Sequence, residues 1–194
     1  MTRAVFSLFL AMFLVGAAAA ATPVEPTHGR LPTDSIYQLP ISLTDQHGKT
    51  FDWRTRRGQP QIVGMFYTSC RYICPLIVES GKAVDRSLTP AQRAKLGILL
   101  ISMDPARDDP AALMAVVKER KVDGRWTLAT PKPADVRSVA GVLDIQYRQL
   151  SDGEFNHTSA LILLDKDGRI VARTERMGSK LDPEFLEAVK AQLD

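Results

Sequence analysis

Gln61-Ile-Val-Gly-Met-Phe-Tyr-Thr-Ser-Cys70-Arg-Tyr-Ile-Cys74-Pro75 decides the fold. Residues 61–67 (QIVGMFY) form a short, unbroken apolar run, which suits a strand buried on both faces. Pro75 then signals the opening of a helix, because a proline in the first turn gives up only an N–H that has no helical partner. Apolar spacing at Leu76, Ile77, Gly81, Val84 and Leu88 carries that helix to Leu88. On this pattern Cys74 is the expected N-cap, Pro75 the first helical residue, and Cys70 lies in the loop before them. The two sulfurs then fall at the carboxyl end of a sheet strand, the edge where open α/β sheets collect their chemistry.

The chain on either side alternates in the same way. Ile41-Ser-Leu-Thr and Lys49-Thr-Phe51 flank Asp45-Gln-His-Gly48 and predict a hairpin turning at His47-Gly48. Thr89 caps a short helix over Pro90–Lys95, and residues 97–103 (GILLISM) read as a second buried strand. Asp109 and Pro110 start a helix that runs through Arg120. A weak strand at Trp126–Ala129 precedes a helix over Pro133–Leu143. Strands follow at Gln146–Gln149, Ala160–Leu164 and Arg169–Thr174, the last two joined by the turn Asp165-Lys-Asp-Gly168. Asp182–Leu193 closes the chain as a capped amphipathic helix. Parallel strands require helical crossovers. This order therefore predicts an α/β, thioredoxin-like domain over residues 39–194: a central mixed β-sheet flanked by helices, with an N-terminal β-hairpin.

The 194 residues are 45% hydrophobic and 24% charged, an ordinary globular composition that excludes long disorder and collagen-like or coiled-coil architecture. Net charge is only +3, with both signs interspersed and no basic block, so nucleic acid is not an expected partner. Two cysteines and three histidines exclude a four-cysteine zinc site, a disulfide scaffold and an iron–sulfur cluster held by four thiolates. Arg3, the apolar run Ala4–Val15 and the small residues Ala17–Ala21 read as a secretory signal peptide over residues 1–21. If uncleaved, residues 4–21 reach the lower limit for a membrane anchor. Residues 22–38, with Pro23, Pro26 and Pro32, are expected to be a linker. Export implies an oxidising, periplasmic compartment in which neighbouring thiols can cycle through a disulfide.

Cysteines four residues apart in a turn-like loop lie within the ~4.4–6.8 Å Cα separation that a disulfide tolerates. A helix N-terminus beside them favours thiolate over thiol at both sulfurs. Such a pair suits disulfide exchange or a soft metal such as Cu(I). A purely structural bridge is the weaker alternative, since so short a loop yields little closure entropy. His157 stands just before the Ala160–Leu164 strand, in a loop that the fold turns toward the cysteines, and can complete a set of two thiolates and one imidazole that also accommodates Cu(II). Asp104, Asp108 and Asp109 read as strand-end and helix-capping residues, Met65 and Met103 as core, His28 and His47 as solvated. Arg54, Arg56 and Arg57 read as a wet basic patch, and Trp53 and Trp126 as core or rim aromatics.

Cys70-x-x-x-Cys74-Pro75 after Phe-Tyr-Thr, Ser102-Met-Asp104-Pro105-x-Arg107-Asp108, and an isolated His157 before a strand and an Asp-x-Asp-Gly turn together resemble the Sco/SenC family, from Leu39 to the C-terminus. That family comprises thioredoxin-fold copper proteins that assist assembly of the binuclear CuA centre of cytochrome c oxidase. The resemblance implies copper, as Cu(I) or Cu(II), bound by Cys70, Cys74 and His157 in a monomer. It also implies that the partner is cytochrome c oxidase subunit II or another copper chaperone. Two features depart from the family pattern. Many members keep a transmembrane anchor where this chain has a cleavable leader, and a proline and an acidic residue commonly stand where this chain has Arg71 and Tyr72. A periplasmic thiol–disulfide oxidoreductase using Cys70 and Cys74 as its redox pair is the alternative function. A thiol peroxidase is disfavoured because no Pro-x-x-x-Thr-x-x pattern precedes Cys70.

Overall fold

Two all-apolar strands fix the centre of the sheet. The computed structural model describes residues 29–194; the expected signal peptide, His28 and the first part of the expected linker lie outside them. The strands are β1 (Ser42–Asp45), β2 (Thr50–Asp52), β3 (Gln61–Phe66), β4 (Gly97–Ser102), β5 (Trp126–Pro131), β6 (Tyr147–Gln149), β7 (Phe155–His157), β8 (Leu161–Leu164) and β9 (Ile170–Thr174). The α-helices are α1 (Ile73–Arg86), α2 (Pro90–Lys95), α3 (Pro110–Arg120), α4 (Val136–Val142) and α5 (Pro183–Ala191). Seven strands form one sheet in the order β2-β1-β5-β4-β3-β8-β9. Its centre is parallel, β3 beside β4 and β4 beside β5, and its outer pairs are antiparallel. Every residue of β3 and β4 is buried, as strands flanked on both sides and covered on both faces must be. Helix α1 packs against β3 and β8, α3 against β5 and β1, and α5 against β9.

This topology brings three distant segments to one edge. Phe66 and Ser102, the last residues of β3 and β4, stand side by side in parallel register. The chain leaves β3 into the cysteine loop and leaves β4 into Met103–Asp108. Strand β8 runs antiparallel to β3, Val63 opposite Ile162, so the segment entering β8 arrives at that same edge and carries His157 with it. Strands β6 and β7 form a separate two-stranded ribbon in which His157 is paired with Tyr147.

Four local expectations need correction. Helix α1 starts at Ile73 with Tyr72 as its N-cap, so Cys74 sits inside the first turn and not at the cap. Pro75 is still tolerated there because the first turn has no N–H acceptor to lose. The helix expected from Pro133 begins as a 3₁₀ turn over Pro133–Asp135 and becomes α-helical only at Val136. Ser35, Ile36 and Tyr37, in the stretch expected to be linker, are buried. Ser35 Oγ donates to the Asp167 carbonyl at 2.6 Å, and Gly168, at φ +82°, leaves room for the Tyr37 ring. The expected wet basic patch is partly engaged: Arg57 pairs with Asp167 at 2.9 Å, and Arg56 lies 5.2 Å over the Phe51 ring.

Gly81 is where α1 meets Trp126 of β5. A Cβ on Gly81 would lie 2.6 Å from Cη2 of Trp126, a ring only 2% exposed that has no room to withdraw. Gly81→Ala gains about 1 kcal/mol in helix propensity. It incurs an overpacking penalty of about 1–3 kcal/mol. Urea denaturation of the variant is expected to show a net loss of stability; a gain would place the helix farther from the tryptophan than described.

Candidate metal centre

The cysteine loop is held from three sides. Asp108, with no solvent exposure, accepts hydrogen bonds from the Thr68 backbone N–H at 3.0 Å, Thr68 Oγ1 at 2.5 Å and Ser102 Oγ at 2.5 Å. It is therefore a tie between the ends of β3 and β4 and not a helix cap. Asp109 alone caps α3, accepting from Ala112 N–H at 2.8 Å. Asp104 pairs with Arg107, which also donates to the Gly153 carbonyl at 2.6 Å and so links this loop to the β6–β7 ribbon. Tyr67 donates to Glu154 Oε2 at 2.9 Å and packs edge-on against Phe155 and His157, with ring centres 5.1 and 5.9 Å away. Tyr67, Glu154 and Arg107 position the site although their sequence context gives no sign of it, because each acts through a partner far along the chain.

Cys70 and Cys74 are both buried free thiols. Their Sγ atoms and a ring nitrogen of His157 lie within 4.8 Å of one another. The Cys74 backbone N–H donates to Cys70 Sγ at 3.3 Å, so a sulfur takes the place of the missing side-chain cap at the start of α1. A hydrogen bond from the Cys74 thiol to the Cys70 sulfur, aided by the His157 side chain and that N–H and opposed by burial, pulls Cys70 down to about 3. The same bond, reinforced by burial, pushes Cys74 well above the ordinary thiol range. The expectation of two low-pKa thiolates is thus replaced by one thiolate and one thiol sharing a proton. Once a sulfur accepts the proton, the second can no longer lose it cheaply.

His157 completes the group. Its Nδ1 lies 3.0 Å from the Thr158 carbonyl, an acceptor only, so Nδ1 donates there, and in the neutral tautomer with that bond the lone pair falls on Nε2. That Nε2 is buried and without a hydrogen-bond partner. An unsatisfied buried polar atom costs about 1–3 kcal/mol. A cation held between Nε2 and the two sulfurs removes this cost, so the donor set fits a soft metal ion. Beside the imidazole a cavity of about 570 Å³ opens, lined among others by Tyr147, Arg148, Asn156 and Glu175.

Two measurements check this geometry. As pH falls from 8 toward 4, the ultraviolet thiolate absorbance of the reduced, metal-free protein should persist, because the Cys70 pKa lies below that window. It should vanish in Cys70→Ser. A band that titrates near the ordinary ~8.5 would refute the shared-proton arrangement. Asp108→Ala strands one backbone N–H and two hydroxyls in the interior, and should cost about 2–4 kcal/mol in chemical denaturation. Asp108→Asn, which keeps an acceptor for the Thr68 N–H, should cost less.

A sequence model of the SCO1/SenC family matches residues 31–192. An SCO2-like protein of Rickettsia prowazekii is 26% identical over 163 residues, covering 77% of this chain and 76% of its own length. The mitochondrial protein SCO2 of Saccharomyces cerevisiae is 26% identical over 163 residues, 79% of this chain and 52% of that protein. Among solved structures, copper-bound ScoI of Bradyrhizobium japonicum is 27% identical, with a TM-score of 0.67 over 80% of this chain and 98% of that one. Copper-bound yeast Sco1, 20% identical, shares the fold with a TM-score of 0.66 over 79% of this chain and 86% of that one. The family match extends over well more than half of the sequence and includes both cysteines and the histidine, and this chain belongs to the SCO1/SenC family.

Proposed function

We propose that this protein binds copper at Cys70, Cys74 and His157 and assists assembly of the CuA centre of cytochrome c oxidase. Subunit II of the oxidase or another copper chaperone is its partner. The observation that carries this reading is the meeting of both sulfurs and a ring nitrogen of His157 within 4.8 Å of one another, on an imidazole whose buried Nε2 has no hydrogen-bond partner. Thiolates suit Cu(I), and an imidazole among them adds affinity for Cu(II). Family membership and the copper held by the Bradyrhizobium relative support the same ion. Copper is cargo in this role. Cys70 offers a thiolate already formed, Cys74 must release its proton to ligate, and the Thr158 carbonyl fixes the His157 tautomer that presents a lone pair. Residues 1–21 act as the export signal and the domain works as a monomer in the periplasm. No helix among the described residues is long and apolar enough to cross a membrane.

One observation favours a second reading, a thiol–disulfide reductase that keeps the partner's copper-site cysteines reduced. Cys70 is a resident thiolate whose neighbour holds the proton. Cys70 attacks a partner disulfide, forming a mixed disulfide and releasing one partner thiolate. Cys74, once deprotonated, attacks Cys70 Sγ, closing the Cys70–Cys74 disulfide and releasing the second.

The reduced protein is expected to bind one copper per chain by elemental analysis and the disulfide form none. Cys70→Ser and Cys74→Ser should each abolish tight binding, and copper-loaded protein should populate the metal-free copper domain of oxidase subunit II. His157→Ala separates the readings. It should weaken Cu(II) binding by more than the ~10–100-fold typical of losing an outer-shell group, affect Cu(I) less, and leave disulfide reduction largely intact. A variant that binds Cu(II) normally but has lost reductase activity puts the second reading first.

A further inference from the structure

Helix α1 opens on residues that helix stability does not select. Its N-cap is Tyr72, which makes no side-chain cap bond, where Ser, Thr, Asp or Asn would satisfy a first-turn N–H. Arg71, immediately before it, sets an exposed cation at the positive end of the helix dipole. Tyr72 is 87% exposed, the most of any large apolar side chain among the described residues. Leu76, 41% exposed, follows four residues later and so shares its side of the helix. Side chains that break a local rule while facing water serve something other than the fold.

Several carboxylates at this edge already have partners within the chain. Asp104 is taken by Arg107, Glu154 by the Tyr67 hydroxyl, and Asp108 by Thr68 and Ser102. Glu175 is taken by Arg173. Among the described residues neither Arg71 nor Arg148, which lines the cavity beside His157, has a carboxylate in ion-pair reach. The collar of the site thus includes two guanidinium groups without an ion-pair partner, an exposed aromatic ring and an aliphatic side chain. Tyrosine and arginine are the residues that most often anchor protein interfaces, and a guanidinium pairs with carboxylates through two parallel hydrogen bonds.

We propose that Tyr72, Leu76 and Arg71 form the docking face for the protein that exchanges copper with this chain, a partner with an apolar socket rimmed by carboxylates. This proposal rests on the copper reading above. Docking here brings the partner's own metal-binding donors up to Cys70, Cys74 and His157, so each bond from the ion to this chain is replaced by one to the partner with no change of oxidation state. A bilayer offers no such donors. A second copy, joined about a two-fold axis, would bring like-charged surfaces together at the same patch.

The test uses the reduced full domain, the metal-free copper domain of oxidase subunit II from the same organism, and the variants Tyr72→Ala and Arg71→Glu. Both variants should bind one copper as wild type does, since neither residue is a ligand. Their affinity for the subunit II domain should fall about 10- to 30-fold. Loss in Arg71→Glu should shrink as salt is raised, and should be reversed by a lysine replacing an acidic residue on the domain's rim. Wild-type affinity in both variants overturns the docking face while leaving the copper reading intact, as does wild-type protein that loads copper yet does not bind the domain. Binding to phosphatidylglycerol vesicles that the variants lose, with exchange unchanged, also overturns it in favour of a membrane contact. Wild-type protein that takes up no copper removes both proposals.

Discussion

One buried carboxylate joins the ends of the two central strands, and the geometry of the site depends on it. Asp108 has no solvent exposure and three hydrogen-bond donors, two from the loop after β3 and one from the end of β4. Parallel pairing aligns those strand ends but does not dictate where the chain goes after them. Burial pushes the Asp108 carboxyl above its usual range, and hydrogen bonds from Thr68 and Ser102 oppose that push. The tie is thus a balance between two large terms, desolvation and hydrogen bonding, in a place where an apolar residue could hold nothing. Thr68 is two residues from Cys70, so the position of the first sulfur follows from this anchor.

From there, stability and chemistry share the same atoms. A helix normally satisfies its first N–H groups with a capping oxygen, whereas α1 uses the Cys70 sulfur. Holding a thiolate at that spot completes the helix, and drawing the sulfur into another bond removes the acceptor. The start of α1 and the charge on Cys70 are therefore linked variables. The proton between Cys70 and Cys74 is the third member, because it lowers one sulfur's affinity for a proton only by raising the other's.

The amino-acid sequence reveals these parts to different degrees, for physical reasons. Buried strands at residues 61–66 and 97–102 are plain because parallel central strands must be continuously apolar. The hairpin at His47-Gly48 and the turn ending at Gly168 follow from turn chemistry that depends only on neighbours. Cys70, Cys74 and His157 could be singled out because so few residues of these types are present. The ribbon strand Phe155–His157 escapes notice because two polar residues in a two-stranded ribbon leave no alternation to read. The true start of α1 escapes because Tyr72 carries no capping signal and Pro75 is equally acceptable at several first-turn positions. Asp108 is mistaken for a cap because Asp108-Asp109-Pro110 offers two candidates, and only contact with Thr68, forty residues away in sequence, separates them.

The three donors do not stand on the same sheet. Both sulfurs are attached to a helix and loop rooted in the seven-stranded sheet, whereas the imidazole rides on the β6–β7 ribbon, which pairs with no strand of that sheet. Side chains fasten the ribbon nearby: the Tyr67 hydroxyl donates to Glu154 and accepts from the Phe155 N–H, its ring packs on Phe155 and His157, and the Arg107 guanidinium donates to the Gly153 carbonyl. The separation of imidazole and sulfurs is thus set by side-chain contacts between two separately paired sheets, and not by a shared hydrogen-bond ladder.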